Sequence, residues 1–112
     1  MPFGFGKPQL ITWENIVDHN VKVNAPYFIH IVEKRKLFEI RKNDRDYQVG
    51  DRLCYQVNHD DRYNVWEIYK ERVGQIPMTY EIIYVHSGLG LAEGYVALSI
   101  RPWEAKFGGG AS

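Results

Sequence analysis

A single stretch of helical periodicity, set among segments that alternate with period two, is the feature that most limits what this chain can become. His19 to Val23 alternates polar and apolar side chains as a half-buried strand does. Asn24 then stands where an N-cap belongs, with Pro26 in the first turn, and the spacing predicts a helix over Ala25 to Arg35. Phe28, Ile31 and Val32 share one face of it, while Lys34 and Arg35 put positive charge at the end the helix dipole favours. Leu37 to Lys42 reads as a strand, residues 43–46 as a polar turn, and Gly50-Asp51 as a tight turn before a strand over Arg52 to Val57.

Asn58 to Asp61 reads as a loop, and Asn64 to Arg72 suits either a strand or a short helix, with the strand preferred. Met78 to His86 is a long β pattern with Tyr80, Ile82, Tyr84 and His86 on one face, and Gly88-Leu89-Gly90 opens the loop that follows it. Tyr95 to Ile100 closes the series with Val96, Leu98 and Ile100 pointing one way, and Pro102 stops it from running on as an interior strand. One helix between two strands, then several strands joined by turns, predicts an α+β domain built on a mixed, strongly bent sheet that closes toward a barrel.

At 112 residues one core is expected, with an N-terminal arm over 1–18, a domain over 19–104 and a disordered glycine-rich tail over 105–112. Lys and Arg together number 14, as do Asp and Glu, so there is no long-range positive field and any nucleic-acid contact must come from a local patch. No apolar run is long enough to span a bilayer, and the Met1-Pro2-Phe3-Gly4 start lacks a signal peptide's basic and apolar regions, so a cytoplasmic protein without membrane contact is expected. Cys54 is the only cysteine and reads as a packed strand thiol. His19, His30, His59 and His86 show no metal-ligand spacing, and neither a Walker loop nor a dinucleotide fingerprint is present, so neither a metal nor a cofactor is expected.

The densest chemistry lies from Lys36 to Asp46. If Leu37 to Lys42 is extended, Glu39 and Arg41 project from the same face about 7 Å apart, two strand rises of roughly 3.3 Å. They either pair with each other or share a ligand, since a carboxylate accepts from exocyclic amines and a guanidinium offers a planar donor fork to phosphate or a base edge. Lys36, Lys42, Asn43 and Arg45 extend the candidate contacts, and Tyr27 and Tyr95 are candidate stacking surfaces for bases. Trp13, Trp66 and Trp103 read as packing residues, and His19 as either structural or an acid–base group.

Lys36, Glu39 and Arg41, followed by Gly50-Asp51, resemble the motif of the ASCH domains of the PUA-like superfamily. The likeness extends over His19, Pro26-Tyr27-Phe28, the run from Phe38 to Asp46 and Gly94-Tyr95-Val96-x-Leu98, and is nearest to an uncharacterised bacterial and phage subgroup. The resemblance implies a small PUA-like mixed β-barrel with a helix packed at one opening, and an RNA- or nucleotide-binding cleft beside that helix. Some small ASCH proteins are amidohydrolases acting on acylated cytidine through a lysine, a hydroxyl and a carboxylate. Lys36 matches that lysine, but Glu39 stands where the hydroxyl belongs, leaving Lys36 and Glu39 as the implied base and acid and Glu93 as a second carboxylate. A third expectation is a protein-interaction module with a protein partner, marked by an exposed apolar patch.

Overall fold

The computed structural model describes residues 15–59 and 64–104. The tail over 105–112, most of the N-terminal arm with Trp13, and the loop residues Asp60 and Asp61 lie outside these. Five strands form one sheet: β1 (Asp18–Asn24), β2 (Phe38–Lys42), β3 (Arg52–Asn58), β4 (Thr79–Ser87) and β5 (Tyr95–Pro102). Their order is β1-β3-β4-β5-β2, with β1 parallel to β3 and every other pairing antiparallel. The expected α+β fold with a mixed, bent sheet is present: the sheet curls into a half-barrel, and helix α1 (Ala25–Val32) packs against β1 and β3.

The alternation seen in the sequence supplies the interior. Val21 and Val23, Leu53 and Tyr55, and Val96, Leu98 and Ile100 turn inward from β1, β3 and β5, and Phe28 and Ile31 fill the space from α1. Phe28, Tyr55 and Tyr80 meet edge to face, with centroids 5.6 Å apart at both contacts, so the helix is locked to the sheet by aromatic packing as well as by buried area. Because the sheet twists and curls, its two edge strands come round toward each other. Arg45 Nη1 donates to the Asn20 carbonyl at 2.6 Å, and the Arg41 guanidinium reaches the Lys22 carbonyl at 3.5 Å. The seam between β1 and β2 is thus bridged by side chains.

Three local expectations are corrected. The helix ends at Val32, short of Arg35, because Lys34 adopts φ 63° and turns the chain out. Lys34 N–H donates to Ile31 O at 3.1 Å and Arg35 N–H to His30 O at 2.9 Å, the paired bonds of a Schellman cap. Glycine is the residue this left-handed position favours, and a side chain there costs about 1–2 kcal/mol. Replacing Lys34 with glycine is therefore expected to raise stability by about 0.5–1 kcal/mol once the extra chain entropy and the lost charge–dipole contact are subtracted, read as a higher urea midpoint.

Residues 64–72 form no strand. Asn64 Oδ1 accepts from the Trp66 and Glu67 N–H groups at 3.0 and 3.3 Å, starting α2 (Val65–Ile68), and a 3-10 segment follows over Lys70–Gln75. In β4 the pairing with β5 shifts register between Ile82 and Tyr84. The extra residue reverses the alternation, so Tyr80 and Ile82 are buried, Ile83 and Tyr84 face out, and Val85 packs on the core.

Candidate nucleic-acid interface

Antiparallel pairing with β5 turns the backbone groups of Glu39 and Arg41 toward the sheet and those of Phe38 and Ile40 toward the open edge. The side chains alternate independently of this: Phe38 and Ile40 lie outside, while Glu39 is buried and Arg41 half-buried on the inner face. A groove of about 400 Å³ opens along the seam, walled by Lys22, Asn24 and Tyr27 on the β1–α1 side and by Phe38 and Ile40 on the β2 side. Glu39, Arg41 and Lys36 also line it. Past Arg41 it meets a second hollow of about 360 Å³ bordered by Lys42, Asp44, Arg45, Tyr47 and Tyr95.

Glu39 is held between two cations. Lys36 Nζ lies 3.4 Å from Oε1 and Arg41 Nη1 lies 3.3 Å from Oε2. Lys36 also donates to the Phe38 carbonyl at 2.6 Å and sits 4.2 Å from the centroid of the Phe38 ring. Arg41 is held loosely by comparison, since all its contacts fall between 3.3 and 3.5 Å, the long end for charge-assisted bonds. Tyr27, which lines the groove with Arg41, is 56% exposed, and Tyr95, which borders the second hollow, is 40% exposed.

Of the candidate residues, Tyr27, Lys36, Glu39, Arg41, Lys42, Arg45 and Tyr95 border the two hollows. Asn43 does not: its Oδ1 accepts the Tyr47 N–H at 3.2 Å and secures the turn after β2. Glu93 is exposed on the turn before β5 and lines neither hollow. Trp66 and Trp103 lie away from the groove, Trp66 beside His59 and Trp103 under the Arg52 guanidinium. Lys22 and Asn24 were missed as candidates, although the outward alternation of Asn20, Lys22 and Asn24 on β1 is readable. Their place opposite β2 depends on the curl of the sheet.

His19 and the Gly50-Asp51 turn form one buried unit apart from the groove. Gly50 takes φ 97°, its N–H bonds Ile82 O at 2.8 Å, and Asp51 is carried under the start of β1. Asp51 Oδ2 meets His19 Nε2 at 2.8 Å and accepts the Gln48 N–H at 3.1 Å, while Oδ1 accepts the Val17 N–H at 3.3 Å. The His19 ring leans on Tyr47 with centroids 4.7 Å apart. Both His19 and Asp51 are buried, so this pair supports the fold.

Tyr55, in the core near Glu39, has a buried hydroxyl that makes no hydrogen bond of normal geometry among the described residues. Burial foremost, and then the charge on Glu39, pushes its ionisation far above the usual tyrosine range. Tyr69, which donates to Glu33, and Tyr80 are both pushed up to about 12, chiefly by burial. A folded-state pKa above the unfolded one contributes stability that is present below the unfolded value and lost as pH climbs through the folded one. The fold should therefore weaken as pH rises above about 10, where unfolded tyrosines ionise. Tyr55→Phe is expected to gain about 1 kcal/mol at neutral pH by removing an unmet buried hydroxyl, and to flatten the alkaline loss by one proton. Urea titrations of both proteins from pH 7 to pH 11 read both effects, and parallel curves would count against this account.

Among the described residues no group of His, Cys, Asp and Glu is placed to hold a metal, and no helix is long and apolar enough to cross a membrane. No curated protein matches the chain. Over residues 18–100, a span running from the first residue of β1 into β5, the sequence matches the family described as a domain of unknown function, DUF3850, and the chain belongs to that family.

Proposed function

We propose that the groove along the β1–β2 seam binds single-stranded RNA or a nucleotide, in keeping with the ASCH and PUA-like resemblance of the Lys36-to-Asp46 segment. The observation that carries this reading is Arg41: a half-buried guanidinium, held only by long contacts, with the exposed ring of Tyr27 in the same groove and that of Tyr95 in the adjoining hollow. A bound phosphate would replace the Lys22 carbonyl with a stronger bidentate partner. The lining supplies five cations, Lys22, Lys36, Arg41, Lys42 and Arg45, against two carboxylates, Glu39 and Asp44. That is a local positive patch on a chain of zero formal charge. Stacking on two tyrosines suits unpaired bases, and the narrow seam suits a single strand.

Hydrolysis of an acylated cytidine is supported less well. Lys36 Nζ is taken up by the Phe38 carbonyl and the Glu39 carboxylate, and among the described residues no serine, threonine or cysteine lines the groove to act as nucleophile. A protein-interaction role has one observation in its favour, since Phe38, Ile40 and Tyr84 stand 45%, 51% and 58% exposed on the outer face of β2 and β4.

Fluorescence anisotropy with labelled RNA of four to eight nucleotides tests the nucleic-acid reading. Affinity should fall with salt at a log–log slope near −2, the value for about three phosphate contacts on a single strand. Absence of binding to any single-stranded RNA or nucleotide at low salt would overturn it.

A further inference from the structure

Strand pairing orders the outer face of β4, β5 and β2 into rows. Tyr84, Ser99 and Phe38 make one row, His86, Ala97 and Ile40 the next, and Tyr95 with Lys42 a third. Val96, Leu98 and Ile100 turn inward, so the residues that alternate with them on β5 face out. Phe38, Ile40, Tyr84 and Tyr95 remain between 40% and 58% exposed, whereas Ala97 and Ser99 are small and form the bottom of a shallow trough between taller neighbours.

Beyond the third row, at the tip of the β4–β5 hairpin, Leu89 is 91% exposed. Its backbone is fixed there. Gly88 and Gly90 take φ 88° and 86°, Leu91 N–H donates to Gly88 O at 2.7 Å, and the His86 ring bonds the Leu89 carbonyl at 2.9 Å. A leucine fixed in water carries a hydration cost that only a covering surface removes. Taking roughly 200 Å² for each whole side chain, these five large residues present on the order of 500 Å². That matches the apolar share of the roughly 800 Å² that each partner gives to a stable interface.

We infer that two copies of the chain pair through this face, sheet on sheet, about a twofold axis that crosses the strands over Ala97 and Ile40. The rows are self-complementary under that rotation, which lays β2 on the partner's β2 and β4 on the partner's β4. Ile40 then meets its own copy, Tyr95 covers the partner's Ser99, and Leu89 comes down beside the partner's Tyr84. Among the described residues the rows hold no carboxylate, and Lys42 at one corner is their only formal charge, so identical surfaces meet without repulsion across the middle of the patch. A charged partner would find little there to pair with. Phe38, Ile40 and Tyr95 also edge the nucleic-acid groove, but Tyr84, Leu89 and Ala97 line neither of its hollows.

Sedimentation velocity of the full chain over roughly 1–500 μM tests the inference. The mass should rise with concentration from the 13.1 kDa of one chain to twice that value. Leu89→Asp should weaken association at least tenfold, because it sets a carboxylate against the partner's apolar surface. Tyr84→Thr should weaken it by a smaller factor, since it removes a ring while keeping a strand former. Circular dichroism should show both variants folded, as neither side chain belongs to the core. A single-chain mass throughout that range would leave the face to a different protein and overturn the inference, as would a dimer that both variants leave intact.

Discussion

Replacing Asp51 with alanine is expected to cost about 3–5 kcal/mol, because one buried carboxylate serves three partners and hydrogen bonds to a charged group contribute about 1.5–3 kcal/mol each. Its carboxylate is a single acceptor centre for His19 Nε2 and for the backbone N–H groups of Gln48 and Val17, and the site is closed to solvent. Alanine leaves these groups without partners in a place water does not reach, so each retains its desolvation cost. The damage also spreads through topology, because the turn ending at Asp51 bonds Ile82 on β4 while its carboxylate holds the entry to β1. Against a typical total of 5–15 kcal/mol the loss is large enough to leave a marginal fold. Urea unfolding followed by circular dichroism measures it, and a shift below 1 kcal/mol would show that the buried pair is not a principal support of the sheet.

Arg41→Ala should weaken RNA binding by about 1–3 kcal/mol, tenfold or more, and reduce the salt slope by about 0.7 if the guanidinium contacts one phosphate. The same change removes one of the two cations beside Glu39, so the variant's thermal unfolding has to be measured alongside its affinity. Arg41→Lys separates the two effects, since it keeps the charge beside Glu39 but loses the planar donor fork. Affinity for Arg41→Lys should fall between those of the parent and the alanine variant. Full RNA affinity in a folded Arg41→Ala protein would remove the main support for the groove as a nucleic-acid site.

Much of the interior was legible because it depends on local period. Val21 with Val23, Phe28 with Ile31, and Val96 with Leu98 and Ile100 lie at spacings that can bury only one face of their element, and each group is buried. The Lys36, Glu39 and Arg41 grouping was likewise readable, because residues two apart on a strand share a face, and the pair meets at 3.3 Å. Other features depended on events with no local signature. The shift between Ile82 and Tyr84 inserts one residue and exchanges the faces of everything after it. Asn64 could sit in a strand or cap a helix, and its bonds to the Trp66 and Glu67 N–H groups decided for the helix. Lys34 carried no glycine to announce the end of α1, and only its backbone angle reveals it.

From the order of residues alone came the element types, the inward faces of β1, α1 and β5, and the short motif that draws attention to β2, all set by steric and hydrophobic preferences acting within a few neighbours. Tertiary structure decided which distant segments meet. It paired His19 with Asp51 across 32 positions, and it brought Arg41 on β2 and Arg45 in the turn after it against carbonyls of β1, the opposite edge of the same sheet. The reason is that strand order and curl are global solutions to burying one core. The groove exists only because that curl stops short of closing the barrel.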